Sequence, residues 1–233
     1  MSTPSIFQIE INQAPAIVTF AFLLSESAKS HPEFFDYSHS NTVFPPSFNC
    51  YGFMKQLLLL TRPEAYKDLT ERMYVMQNVV PPSSDGIPCP FNYVKIFQCL
   101  PKNPSPHWEQ VDNPEKIRPG DIIAYTPVDY IPPKIASFSK KSTGTHLMLV
   151  AKVLQATATK AFLVIIDCTR FPHSKHFDGR KKRGIGTSLV VLHFGEAFSS
   201  VQWHFFGNRH KKEIAIGRLK SLNSRLGKIK SKL

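Results

Sequence analysis

The chain has 233 residues, 42% of them apolar and 20% charged, with a formal charge of +12. That composition is globular and supplies one large domain with ample core, but the charge is unevenly placed. Residues 209–233 hold nine Lys and Arg against a single acid, Glu213, so the body is only mildly basic and the charge belongs to a tail. Four cysteines (Cys50, Cys89, Cys99, Cys168) form no CxxC pair, which gives no indication of a zinc site, and they are too sparse for a disulfide scaffold.

The first apolar run, Ala16 to Leu24, is too short to span a bilayer. Glu10 precedes it and no Lys or Arg does, so the basic flank of a secretory signal is missing. It reads as a core helix over 14–29. The expectation is a protein without a transmembrane segment, cytoplasmic or exported without a standard signal peptide. A second helix is expected over 50–60 and a third over 63–77, where Pro63 suits a first turn and Tyr66, Leu69, Met73 and Met76 keep helical spacing. Residues 78–120 are Pro-rich, with a strand or short helix at 93–100. Strands follow at 121–125, 146–154, 161–167, 188–194 and 201–206. Helices followed by a run of strands imply an α+β fold with an antiparallel sheet. Residues 213–232 return to helical spacing with basic residues between the apolar ones, although Gly217 and Gly227 weaken a helix. The expected division is a domain over 1–208 and a basic amphipathic tail over 209–233.

Cys50 stands where a loop enters the second helix. Unpaired N–H groups at a helix start favour a thiolate, the nucleophilic form of cysteine. Such a nucleophile needs a base and a group to orient that base. Of nine histidines, His146 is distinctive, because it opens an apolar strand and faces the preceding loop. The next strand ends in Asp167. If the two strands pair as a hairpin, the carboxylate comes alongside His146, where it would fix the imidazole tautomer and stabilise the imidazolium.

The segment Asn49-Cys50-Tyr51-Gly52-Phe53 resembles the Asp-Cys-Ser-Gly-Phe nucleophile motif of the NlpC-type family, papain-like cysteine hydrolases best known as cell-wall peptidases. Arg118-Pro119-Gly120-Asp121-Ile122-Ile123 resembles the family's Pro-Gly-Asp strand, and Thr145-His146-Leu147-Met148-Leu149-Val150 its catalytic His strand. Asp167 falls where the family places a third polar residue. The resemblance covers residues 37–170. It implies a papain-like fold, N-terminal helices packed on an antiparallel sheet, and a Cys50-His146-Asp167 triad. It also implies an oxyanion-stabilising tyrosine about a dozen residues before the cysteine, a place held by Tyr37. Asn49 replaces the usual Asp and Tyr51 the usual Ser. The stretch from Thr169 to Gly186 resembles a divergent branch of the family with a His, an Asp-x-Arg and a Gly-Ile-Gly series, here His173, Asp178 with Arg180, and Gly184 to Gly186.

His173 is the alternative third member of the triad. His173, His176 and Asp178 also have the residue types of a metal site, but the surrounding Lys175 and Arg180 to Arg183 would repel a cation, so no metal or other cofactor is expected. Asp178 and Arg180 would shape the cleft rim. The tail has three readings: a contact with an anionic lipid or nucleic acid surface, a helix docked on the body, or a transport signal like those of bacterial secreted effectors. The expected activity is cleavage of an amide, as peptidase or amidase, through a thioester. Acyl transfer, transglutamination or deamidation on the same triad is the alternative within enzymes. A non-catalytic binding protein using the basic tail is the alternative outside them.

Overall fold

The computed structural model describes residues 14–30, 48–76, 86–128, 144–171, 173, 183–195, 200–205 and 208–221. Four helices come first: α1 (Ala16–Ser30), α2 (Cys50–Thr61), α3 (Pro63–Val75) and α4 (Pro90–Cys99). Their buried residues follow helical spacing. In α1 these are Ile17, Val18, Ala21, Ser25 and Ala28; in α3 they are Ala65, Leu69 and Met73, each four apart. Pro63 and Pro90 occupy first turns, where a missing N–H costs nothing. The stretch 93–100, open between strand and helix from sequence, lies largely in α4, buried on most sides.

Seven strands follow: β1 (Trp108–Gln110), β2 (Ile122–Pro127), β3 (His146–Thr157), β4 (Lys160–Thr169), β5 (Gly184–Phe194), β6 (Ser200–Phe205) and β7 (Asn208–Leu219). They form one antiparallel sheet in the order β1-β7-β2-β3-β4-β5-β6, and β6 returns to pair with β7. Six strands therefore close into a ring. One stretch of β7 faces β6 (Glu213↔Ser200), a later stretch faces β2 (Ile216↔Ile123), and its end carries β1 (Leu219↔Trp108). The fold is α+β with an antiparallel sheet, as expected.

The expected helix beyond residue 213 is corrected: residues 208–219 are a strand integral to the sheet. Ile214 and Ile216 alternate with Ala215 and Gly217, a period-two pattern that cross-strand pairing uses and that the wider helical spacing obscured. Domain and tail consequently do not separate at residue 208; residues 222–233 lie outside the described part.

Alternation sends side chains to two cores. Leu147, Leu149, Val164, Ile166 and Ala215 meet the helices, packing with Phe53, Met54, Leu57, Leu58 and Val94. Met148, Val150, Leu163, Ile165, Val190 and Ile216 fill the other face, inside the ring. Each large aliphatic side chain so buried stabilises the fold by about 1.5–3 kcal/mol relative to exposure. The two faces also explain why β3 and β4 read as continuous apolar runs. Among the described residues no helix is long and apolar enough to cross a membrane.

Candidate active site

Asn49 caps α2: its Oδ1 accepts from the N–H of Gly52 at 2.8 Å. Cys50 is therefore the first helical residue, within the positive end of the helix. The entry to the helix is pinned from the sheet, because the thiol of Cys168 donates to the carbonyl of Phe48 at 3.1 Å. Cys168 follows Asp167 directly, so one strand places both the carboxylate and the backbone leading to Cys50.

His146 opens β3 and stands opposite Tyr125 of β2. The β3–β4 register runs Leu149↔Ile166, which sets Asp167 diagonal to His146 on one face, a separation that long side chains bridge. Nε2 of His146 meets Oδ2 of Asp167 at 2.5 Å. Cys50 lies near enough to His146 to favour the charged form of the imidazole. The other carboxylate oxygen, Oδ1, accepts from Nε2 of His173 at 2.9 Å. The hairpin expected from sequence thus brings His146 and Asp167 together. His173, read as the rival third member, binds the same carboxylate from the far side.

Electrostatics follow from this packing. Burial disfavours the imidazolium of His146, but hydrogen bonds and negative charge at Asp167 and Cys50 outweigh it, and the imidazole is pushed up to about 10. Burial likewise disfavours the carboxylate of Asp167, yet hydrogen bonds from His146 and His173 hold it well below the usual range. At neutral pH the imidazolium therefore sits against the ionised carboxylate of Asp167. Cys89 differs: burial pushes its thiol up, against backbone N–H bonds at the start of α4.

Two further residues stand near His146. Burial, then the charges of Asp167 and Cys50, push the phenol of Tyr125 well above its ordinary value. Its ring lies 5.9 Å from the His146 ring, and the ammonium of Lys212 is also 5.9 Å from it. Lys212 Nζ donates to the carbonyl of Gly144, ahead of His146, at 3.1 Å, and burial pulls its ammonium down. Neither residue stands out in the sequence. Tyr125 reaches His146 through strand register, and Lys212 arrives on a strand whose pattern reads as helical. Tyr37, Asp178 and Arg180 lie outside the described residues. Among the described residues no group of three side chains has the arrangement of a metal site.

No protein-family model matches the chain, and neither a curated protein nor a solved structure resembles it.

Proposed function

We propose that the chain is a papain-like cysteine hydrolase that cleaves an amide through Cys50, His146 and Asp167. The observation that carries this reading is the hydrogen bond between His146 and Asp167, with the thiol of Cys50, at a helix start, close enough to favour the charged imidazole. In this mechanism the Cys50 thiolate attacks the carbonyl carbon, and backbone N–H groups at the start of α2 receive the oxyanion. Tyr37 is the side chain that the family resemblance adds there. As the tetrahedral intermediate collapses, the imidazolium of His146 gives its proton to the departing amine and a thioester remains. His146, now neutral, takes a proton from water, whose oxygen attacks the thioester. The acid leaves, and Cys50 and His146 recover their charges. Asp167 holds the ring in register at each step and stabilises its charged form.

The test is alkylation by iodoacetamide near pH 6.5, read by peptide mapping. An ordinary thiol is only a few per cent thiolate at neutral pH, so Cys50 should label on the order of tenfold faster than Cys89, Cys99 and Cys168. Cys50→Ala should abolish hydrolysis of any amide the protein cleaves. Labelling of Cys50 no faster than that of Cys99 would end this reading.

A further inference from the structure

His173 is wholly buried at its side chain, and among the described residues it makes one polar contact, to Oδ1 of Asp167. Its Nδ1 is buried with no hydrogen-bond partner among the described residues. An unpaired buried polar atom costs free energy, and native structures contain few of them. The fold also clears space for the ring. Gly186 is the register partner of Asp167 on β5, and a Cβ there would lie 2.5 Å from Nδ1 of His173 and 2.6 Å from Cγ. Gly186 is not among the glycines with positive φ, so glycine is needed here for room rather than for backbone conformation.

A carboxylate has a broad, roughly two-fold torsion about its last bond. Held through Oδ2 alone, Asp167 could swing out of the plane that suits His146. A second donor on Oδ1, fixed between β4 and β5, removes that freedom. We propose that His173, seated on Gly186, is a positioning residue that locks the carboxylate of Asp167 toward His146; the proposal rests on the reading of His146 as catalytic base. The seat and the lock form a pair: Gly186 admits the ring, and the ring fixes the carboxylate.

The two possible effects of losing His173 have opposite signs. If the ring only draws charge from Asp167, its removal leaves more negative charge for His146, whose titration midpoint then rises. If the ring positions the carboxylate, its removal loosens the hydrogen bond to His146 and the midpoint falls. The experiment is an NMR titration of histidine-labelled protein, with His146 assigned from a His146→Gln variant. His173→Leu should lower the His146 midpoint by about one pH unit, the scale of one charge-assisted hydrogen bond. Gly186→Ala should shift it in the same direction, since the new methyl displaces the ring while both partners stay chemically intact. His173→Gln, which keeps an N–H near the position of Nε2, should restore a midpoint close to wild type. An unchanged or raised midpoint in either His173→Leu or Gly186→Ala overturns the proposal. Should His173→Leu not fold, Gly186→Ala decides alone. Slow alkylation of Cys50 in the wild type would instead remove the hydrolase reading and leave the titration result standing.

Discussion

The proton on His146, which the proposed mechanism uses, also bears on the stability of the fold. The imidazole rises from an ordinary value near 6.5 to about 10 on folding. A group raised in this way gives its full stabilisation below the unfolded value and loses it as pH climbs to the folded one. The contribution of His146 should therefore be complete below pH 6.5 and fade between pH 6.5 and about 10. Asp167 works in the opposite direction: its contribution is present above its ordinary 3.8 and is lost as acid drives it through its lower folded value. Thermal midpoints of wild type and His146→Gln, compared from pH 5 to 10, should converge toward the alkaline end. A constant gap would contradict the charged pairing. Cys50, His146 and Asp167 were legible in the sequence because each sits at the end of an element outlined by apolar residues. His173 could be read only as a rival, since its bond to Asp167 depends on the folding back of a segment that carries no periodicity. Tyr125 was missed because the residue it faces is set by cross-strand register, which no local pattern records.

The elements around the site show the same division. The first three helices were read nearly to their bounds, because a 3.6-residue apolar period and a proline at the first turn are local signals. β7 was not. Gly217, which argued against a helix, has a different role in the sheet: it lies under the ring of Phe97 on α4, so close that any Cβ would overlap the ring. That ring packs against Tyr93 at 5.7 Å and Trp108 at 5.3 Å, and the indole of Trp108 donates to the carbonyl of Ala65 at 2.9 Å. Gly217 therefore sets how closely α4 approaches the sheet. Gly217→Ala should cost roughly 1–3 kcal/mol in urea denaturation, as overpacking does. Adding Phe97→Leu should recover part of that loss. Additive losses in the double variant would show that the two residues do not share a contact.

Across the whole molecule the basic C-terminal stretch turns out to be partly a fastener. Arg218 forks onto Asp121, at 2.7 Å to Oδ1 and 2.8 Å to Oδ2, and Asp121 is fully buried at the mouth of β2. Asp121 also accepts from the N–H of Arg118 at 2.9 Å, so the Pro-Gly-Asp segment is a receptor for β7 as well as the start of a strand. Arg218→Met should cost about 3–5 kcal/mol by leaving a buried carboxylate unpaired, and Asp121→Asn in the same chain should regain much of it. A loss below about 1 kcal/mol would place the pair among ordinary surface contacts. The ring also has a consequence for how the protein is made. Its closing strand pairs with Trp108–Gln110 and Ile122–Pro127, which precede it by most of the sheet. Contacts so distant in sequence form slowly, and during synthesis they must wait for the ribosome to reach residue 219. Until then the edge of β2 that β7 will take stays open, exposed to pairing with a neighbouring chain.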